Sequence, residues 1–239
     1  MIRAIALIVV LVLASTASAF PVIFDNITPN GGPLFTSGDI QASQKDSGFG
    51  FDAGVADDFV LPSSPDDSGD WRINQVNWIG RFITGTPTPI PTFNIIFWPD
   101  DNSGHPAGSD AAGLPPKYSE ALAIYSNVPA SSGPGGGGST SFEYSATLPD
   151  AFEAADGVRY WIEIQANVNF PPLWGVEMTN LTQLGRPHSG YDLFFTPFWS
   201  ESAALHDTAF TLGGNPVPEP TSLIILMLGL PLLRRFIRG

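Results

Sequence analysis

The chain has 239 residues, no cysteine, and a formal net charge of −13 from 23 acidic against 10 basic side chains. Without cysteine an exported domain has no disulfides, so its stability must come from core burial or bound ions. The acidity excludes nucleic acid and anionic lipid headgroups as partners, because like charges repel across the whole surface.

At the N-terminus, Arg3 supplies a positive region, Ala4 to Ala14 form an almost unbroken apolar run, and Ala17-Ser18-Ala19 fits the small-residue cleavage rule. A secretory signal peptide over residues 1–19 is predicted, since the apolar run falls short of the ~20 residues of a membrane span. One domain is expected over 20–216, long enough for a sizeable core. That segment keeps six basic and 22 acidic residues, which suits solubility outside the cell or the collection of calcium.

The chain's 25 glycines and 23 prolines, and apolar residues recurring at period two within the domain, argue against helices. Asp57 and Asp58 open a short predicted strand, Asp58–Leu61, and Asp66, Asp67 and Asp70 crowd the loop after it. Calcium accepts about six to eight oxygens with loose geometry, so these carboxylates are candidate ligands. Aspartate is equally a turn residue that caps its own backbone, and no EF-hand spacing is present. The next strand, Trp71 to Thr84, places Val76, Trp78, Gly80 and Phe82 on one face, with Gly80 marking a bulge or close packing. Thr86 to Pro91 is a stiff connection, since proline cannot complete a central ladder.

Phe93, Ile95 and Phe97 form another apolar face, followed by the loop Asp100-Asp101-Asn102-Ser103-Gly104. Asp100 and Asp101 there are candidate calcium or sugar-hydroxyl ligands, or the residues of a polar hairpin. Ala121–Ser126 is a short strand, Gly133 to Ser139 a flexible loop, and Phe142, Tyr144, Ala146 and Leu148 a further strand face. From Val158 to Gln165, Val158, Tyr160, Ile162 and Ile164 alternate with Arg159, Trp161, Glu163 and Gln165. On the outer side Trp161 would stack on a sugar ring, with Trp174 or Trp199 extending the platform; core or loop packing is the competing reading. Strands at Trp174–Met178, Asp192–Thr196 and Asp207–Leu212 complete the pattern. Many short strands between Gly, Pro and Asp turns predict an all-β, antiparallel, jelly-roll-like β-sandwich.

No residue is assigned to catalysis. There is no Gly-x-Ser-x-Gly elbow, no cysteine nucleophile and no His-Glu-x-x-His helix, and His105, His188 and His206 share no metal-ligand spacing. Glu143, Glu163 and Glu177 would serve as a glycosidase pair only if two of them converged at ~5–9.5 Å across a cleft.

Residues 217–239 differ from the rest. Pro218-Glu219-Pro220 precede a mostly apolar run from Thr221 to Leu233, closed by Arg234, Arg235 and Arg238. This tail resembles the PEP-CTERM sorting signal of exported bacterial proteins. The resemblance implies that Pro218, Glu219 and Pro220 form the recognition box of an exosortase-like membrane processing enzyme. It implies equally that the three arginines are a cytoplasmic stop after a short hydrophobic helix. The apolar core, Leu223 to Leu233 with Pro231 inside it, is shorter than a ~30 Å hydrocarbon layer requires, so anchoring in the inner membrane is expected to be weak and transient.

The body is also similar to one that often precedes such tails. The matching stretches are Ala56 to Pro62, Ile73 to Gly80, Phe93 to Gly104, Tyr160 to Ile164 and Ala209 to Leu212. These are strand and turn patterns, and they carry a fold without assigned chemistry. The expected function is a non-catalytic structural or adhesive protein of the cell envelope or exopolysaccharide matrix, anchored in the inner membrane before processing. The alternatives are a calcium-assisted carbohydrate-binding module and, third, a glycan hydrolase. Calcium is the one cofactor suggested, and polysaccharide the one partner besides the processing enzyme.

Overall fold

The computed structural model describes residues 20–28, 36–48, 51–65, 69–107, 120–134, 141–180, 188–192, 198–201 and 206–217. The predicted signal peptide, Asp66, Asp67 and the Pro-Glu-Pro box with the apolar and arginine segments after it lie outside these residues. The described chain is all-β, with two sheets and no helix among the described residues. This is the sandwich that the period-two pattern predicts.

The first sheet is organised by β5 (Asp70–Thr84), whose inward face carries Val76, Trp78, Gly80 and Phe82 as the alternation requires. A register irregularity between Ile73 and Gln75 also brings Trp71 and Ile73 into the core. Along one side of β5 runs β9 (Ser141–Ala155), edged by β8 (Ser131–Pro134). Along the other side β14 (Phe210–Pro216) and β11 (Leu173–Thr179) lie end to end. These two are edged by β1 (Val22–Asp25) and β2 (Thr36–Ala42) respectively.

Gly80 is a close-packing glycine. A Cβ there would run into the Trp174 ring and would come within 2.8 Å of the Gly175 carbonyl oxygen.

In the second sheet, β10 (Arg159–Asn167) pairs with β6 (Phe93–Pro99), and β7 (Ala123–Val128) forms the edge beyond β6. On its other side β10 pairs with β4 (Phe51–Val60) over Ala56 to Val60. Further along, the two strands part, and β3 (Gln44–Asp46) enters the gap, antiparallel to β4 and parallel to β10. Beyond β4 lie β12 (His188–Asp192) and β13 (Phe198–Glu201). The β3–β10 contact is the only parallel pairing among these strands.

Strands β2 and β3 are nearly continuous and cross from one sheet to the other at Ser43. This residue is fully buried, donating its hydroxyl to the Ile164 carbonyl at 2.5 Å while its N–H reaches the Trp174 carbonyl at 3.2 Å.

Between the sheets the core is rich in aromatic rings. Phe97 stacks on Phe152 with centroids 4.2 Å apart, and Trp78 meets Phe93 edge-on at 4.8 Å. The indole of Trp174 joins the same cluster, 5.4 Å from Phe93.

Several strands depart from the predicted bounds. β4 extends back to Phe51, and β9 continues past Leu148 to Ala155 through the irregularity opposite Ile73. Gly133 and Pro134, predicted in a loop, close β8. Of the predicted Asp192–Thr196 strand only Asp192 is described, as the last residue of β12 (His188–Asp192); residues 193–197 lie outside the described set. The Asp207–Leu212 strand begins at Phe210, with Thr208 held by an isolated bridge to Met178. β1, β2, β3, β8 and β13 were not predicted, being short or built of Ser, Gly and Gln with little strand preference of their own.

Candidate functional site

Alternation along β4, β6 and β10 sends one set of side chains away from the core onto the outer face of the second sheet. The set comprises Asp52, Gly54, Ala56 and Asp58 from β4, Asn94, Ile96 and Trp98 from β6, and Arg159 to Asn167 at odd numbers from β10. Most of it is buried as deeply as the core: Trp98 is 0 %, Trp161 1 %, Glu163 1 % and Gln165 1 % exposed.

At one end stands an acidic corner. The carboxylate of Asp58 lies 3.3 Å from Arg159 Nε. Burial pushes Asp58 up to about 6, with Arg159 opposing the rise and the charge of Asp100 adding to it. Asp100 accepts the Trp161 indole N–H at 3.0 Å and the Asn102 N–H at 2.9 Å. Asp101 caps its own turn, accepting from the Ser103 N–H and hydroxyl, both at 2.7 Å. Its burial penalty is outweighed by these bonds and by the His105 N–H, which together hold the carboxyl below its usual range.

Asp57 points the other way, into the sandwich. It accepts the Thr208 N–H at 2.6 Å and the Thr208 hydroxyl at 2.9 Å. Burial, followed by the charges of Asp207 and Asp58, raises it well above the usual carboxylate range against those two bonds. The four candidate calcium ligands are therefore not one set. Asp57 and Asp58 are on opposite faces of their strand, and Asp100 and Asp101 are committed to an indole and to a turn. Among the described residues no group of three or more His, Cys, Asp or Glu side chains is placed to hold a metal ion.

The predicted tryptophan platform is corrected by burial. Trp174 is a core residue, fully covered. Trp161 does lie on the outer face, but it packs with Ala56, Ile96, Trp98 and Ala121 and offers no ring to solvent. Trp199 lies in β13.

Of the three strand glutamates, one stands apart from the other two. Glu163 belongs to the second sheet; Glu143 and Glu177 lie on the outer face of the first, where Glu177 accepts the Ser141 hydroxyl at 2.5 Å beside Arg81 at 3.5 Å. Glu163 accepts the Trp98 indole N–H at 3.2 Å. Burial, with the charge of Asp52 adding, pushes it up to about 8 against the Trp98 bond and Lys45, so near neutral pH it is held as the uncharged acid. Its carboxyl occupies the space over Gly54 that a side chain there would fill.

At the end where β4 and β10 part, the outer face opens into a groove of about 680 Å³ lined by Lys45, Asn94, Ile96, Ile124, Gln165 and Asn167, with Asn127 and Ser126 at its rim. Its amides hold one another in place. Asn167 Nδ2 donates to Thr92 Oγ1 at 3.1 Å, Asn94 Oδ1 at 3.0 Å and Asn127 Oδ1 at 3.3 Å. The Asn127 N–H donates to Asn94 Oδ1 at 3.2 Å, from a left-handed backbone (φ 57°) that asparagine tolerates. Gln165 Nε2 bridges the strand fork to Asp52 Oδ1 at 2.6 Å and the Ala53 carbonyl at 3.2 Å.

Each amide keeps one end unused. Among the described residues Asn94 Nδ2, Asn127 Nδ2, Asn167 Oδ1 and Gln165 Oε1 have no hydrogen-bond partner. None of these four was singled out from the sequence. Alternation alone puts Gln165, Asn167 and Asn94 on one side of their strands, but the pairing that sets them together is not written locally.

A second recess of about 600 Å³ lies on the outer face of the first sheet, over Asn77, Glu143, Ser145 and Thr211. There the amide donors are turned inward on the ladder: Gln75 Nε2 to Asn77 and Ser145, and Asn77 Nδ2 to Thr211. No protein-family model, no curated protein and no solved structure matches the chain.

Proposed function

We propose that the chain is an exported, non-catalytic sandwich protein, jelly-roll-like in its finer topology, with a structural or adhesive role at the cell envelope or in an exopolysaccharide matrix. The observation that carries the reading is the pairing of two address signals on one chain: the signal peptide over 1–19, and Pro218-Glu219-Pro220 followed by an apolar run and Arg234, Arg235 and Arg238. On this reading the tail holds the protein transiently in the inner membrane, an exosortase-like enzyme processes it, and the body is released to the surface or matrix.

Of the strand glutamates only Glu143 and Glu177 share a face. Glu163 is on the opposite side of the sandwich from Glu143 and Glu177, so neither of the latter can pair with it across a cleft as glycosidase chemistry requires. A calcium-assisted site gains no support from Asp57, Asp58, Asp100 and Asp101, each of which already serves an indole, a turn, an arginine or a backbone N–H.

The test is expression of the full chain beside a Glu219→Ala variant in a host that carries an exosortase-like enzyme, with fractions followed by mass. Wild type should lose its tail and appear outside the inner membrane, and the variant should stay full-length in the membrane fraction. Identical processing and distribution of the two would overturn the proposal.

A further inference from the structure

The groove beside the β4–β10 fork has the properties of a ligand seat, and its chemistry narrows the ligand. Its one formal charge, Lys45, is matched by Asp52 at 3.1 Å, so the groove selects for neither an anion nor a cation. The domain as a whole is strongly acidic, with 22 acidic and six basic residues between positions 20 and 216, which disfavours an anionic polymer.

What remains is a neutral row of amides, fixed by their own hydrogen bonds and presenting two unused donors, Asn94 Nδ2 and Asn127 Nδ2. One unused acceptor, Asn167 Oδ1, completes the set, while Gln165 Oε1 is itself buried and out of a ligand's reach. A hydroxyl both donates and accepts, so adjacent hydroxyls on one ring complement such a mixed set where a purely donating or accepting group would satisfy only part of it. Ile96 forms part of the floor and Ile124, 47 % exposed, part of the rim, giving aliphatic surface for the C–H face of the same ring. The volume falls in the ~300–1,000 Å³ range of small-ligand sites. Pre-fixed amides also reduce the ordering cost of binding.

We propose that this groove binds a neutral, hydroxyl-rich oligosaccharide segment through direct contacts with Asn94, Asn127 and Asn167. The inference goes beyond delivery and adhesion by naming a ligand class and its seat. It uses no residue of the tail, so its test and the processing test fail independently.

The experiment is calorimetric titration of the full chain with neutral hexasaccharides of β-1,4-glucose, β-1,4-mannose, β-1,4-xylose and α-1,4-glucose, with and without EDTA, beside hexagalacturonate. At least one neutral probe should saturate with Kd of about 10 µM to 1 mM, unchanged by EDTA. Asn167→Ala should weaken it about tenfold or more. Because Asn167→Ala removes part of the internal network, Ile124→Asp serves as the second variant. That side chain is exposed at the rim, so the fold should survive, shown by an unchanged melting temperature, while binding falls by a similar factor.

The proposal is overturned if no neutral hexasaccharide saturates up to about 10 mM. It is equally overturned if EDTA abolishes binding, if hexagalacturonate binds more tightly than every neutral probe, or if both variants bind as wild type does.

Discussion

On the inner face of β10, Ile162 and Ile164 belong to the aromatic core with Phe59 and Phe97; on the outer face Trp161, Glu163 and Gln165 are hidden just as completely, yet by an indole–carboxylate and amide network. The inner face needs only to exclude water and fill space. The outer one must also satisfy each donor and acceptor, and it does so incompletely, leaving Gln165 Oε1 without a partner. Equal burial along β10 therefore hides two different kinds of stabilisation: one of apolar packing, the other tied to the protonation of Glu163.

The largest expected effect tests the inner face. Phe97→Ala removes a fully buried ring stacked 4.2 Å from Phe152 and edge-on to Phe59, and should cost about 3–5 kcal/mol in urea denaturation. A cost under about 1 kcal/mol would show that the aromatic core is not the main support.

The outer face is tested by Glu163→Gln. The carboxyl titrates from 4.5 in its ordinary setting to about 8 in the fold, so between those values the folded chain keeps a proton that the unfolded chain has released. With more protons bound to the folded state, stability must fall as pH rises through that window and level off above it. Glutamine is similar in shape and never ionises, so the variant should lose the part of this slope due to Glu163, keep the part due to Asp57 and Asp58, and exceed wild type at pH 8.5 by about 1–3 kcal/mol. Melting curves at pH 4.5 and pH 8.5 decide the matter, since a wild-type–variant difference equal at the two values would remove Glu163 as the titrating group.

The smallest effect lies at the exposed loop beyond β6, which belongs to neither buried face. Asp101→Ala loses a turn cap at a mostly solvated site and should cost about 0.5–1 kcal/mol by the same denaturation. A larger loss would mean the loop supports the outer face.

The contrast also shows what the sequence makes legible. Alternation in Val158 to Gln165 correctly separates Tyr160, Ile162 and Ile164 from Trp161, Glu163 and Gln165, because side-chain direction is a local property of a strand. Whether an outward side chain meets water is a tertiary property, and so the alternation leaves Trp161 open to either a sugar-stacking face or packing, of which packing against Trp98 and Ile96 is what the fold adopts. The same limit applied to Asp57 and Asp58. Adjacent in sequence, they suggested a joint site; adjacent on a strand, they must point apart, one toward Thr208 and the other toward Arg159. The groove amides were illegible for a third reason. Asn94, Asn127, Gln165 and Asn167 come from three strands whose register is set by long-range pairing.

β14 has a mechanical consequence. It is the last described strand before the C-terminal segment, bonded on one side to β1 and on the other to β5, and the Val217 N–H still reaches the Asp70 carbonyl at 3.0 Å. A pull applied from the C-terminal end runs along the axis of β14, and the rungs of an antiparallel ladder lie across that axis. Both ladders are then loaded in shear, with many rungs sharing the force where an edge strand would unzip one rung at a time. Resistance to extraction is set by an unfolding rate, and a body held from this end is gripped through an interior strand.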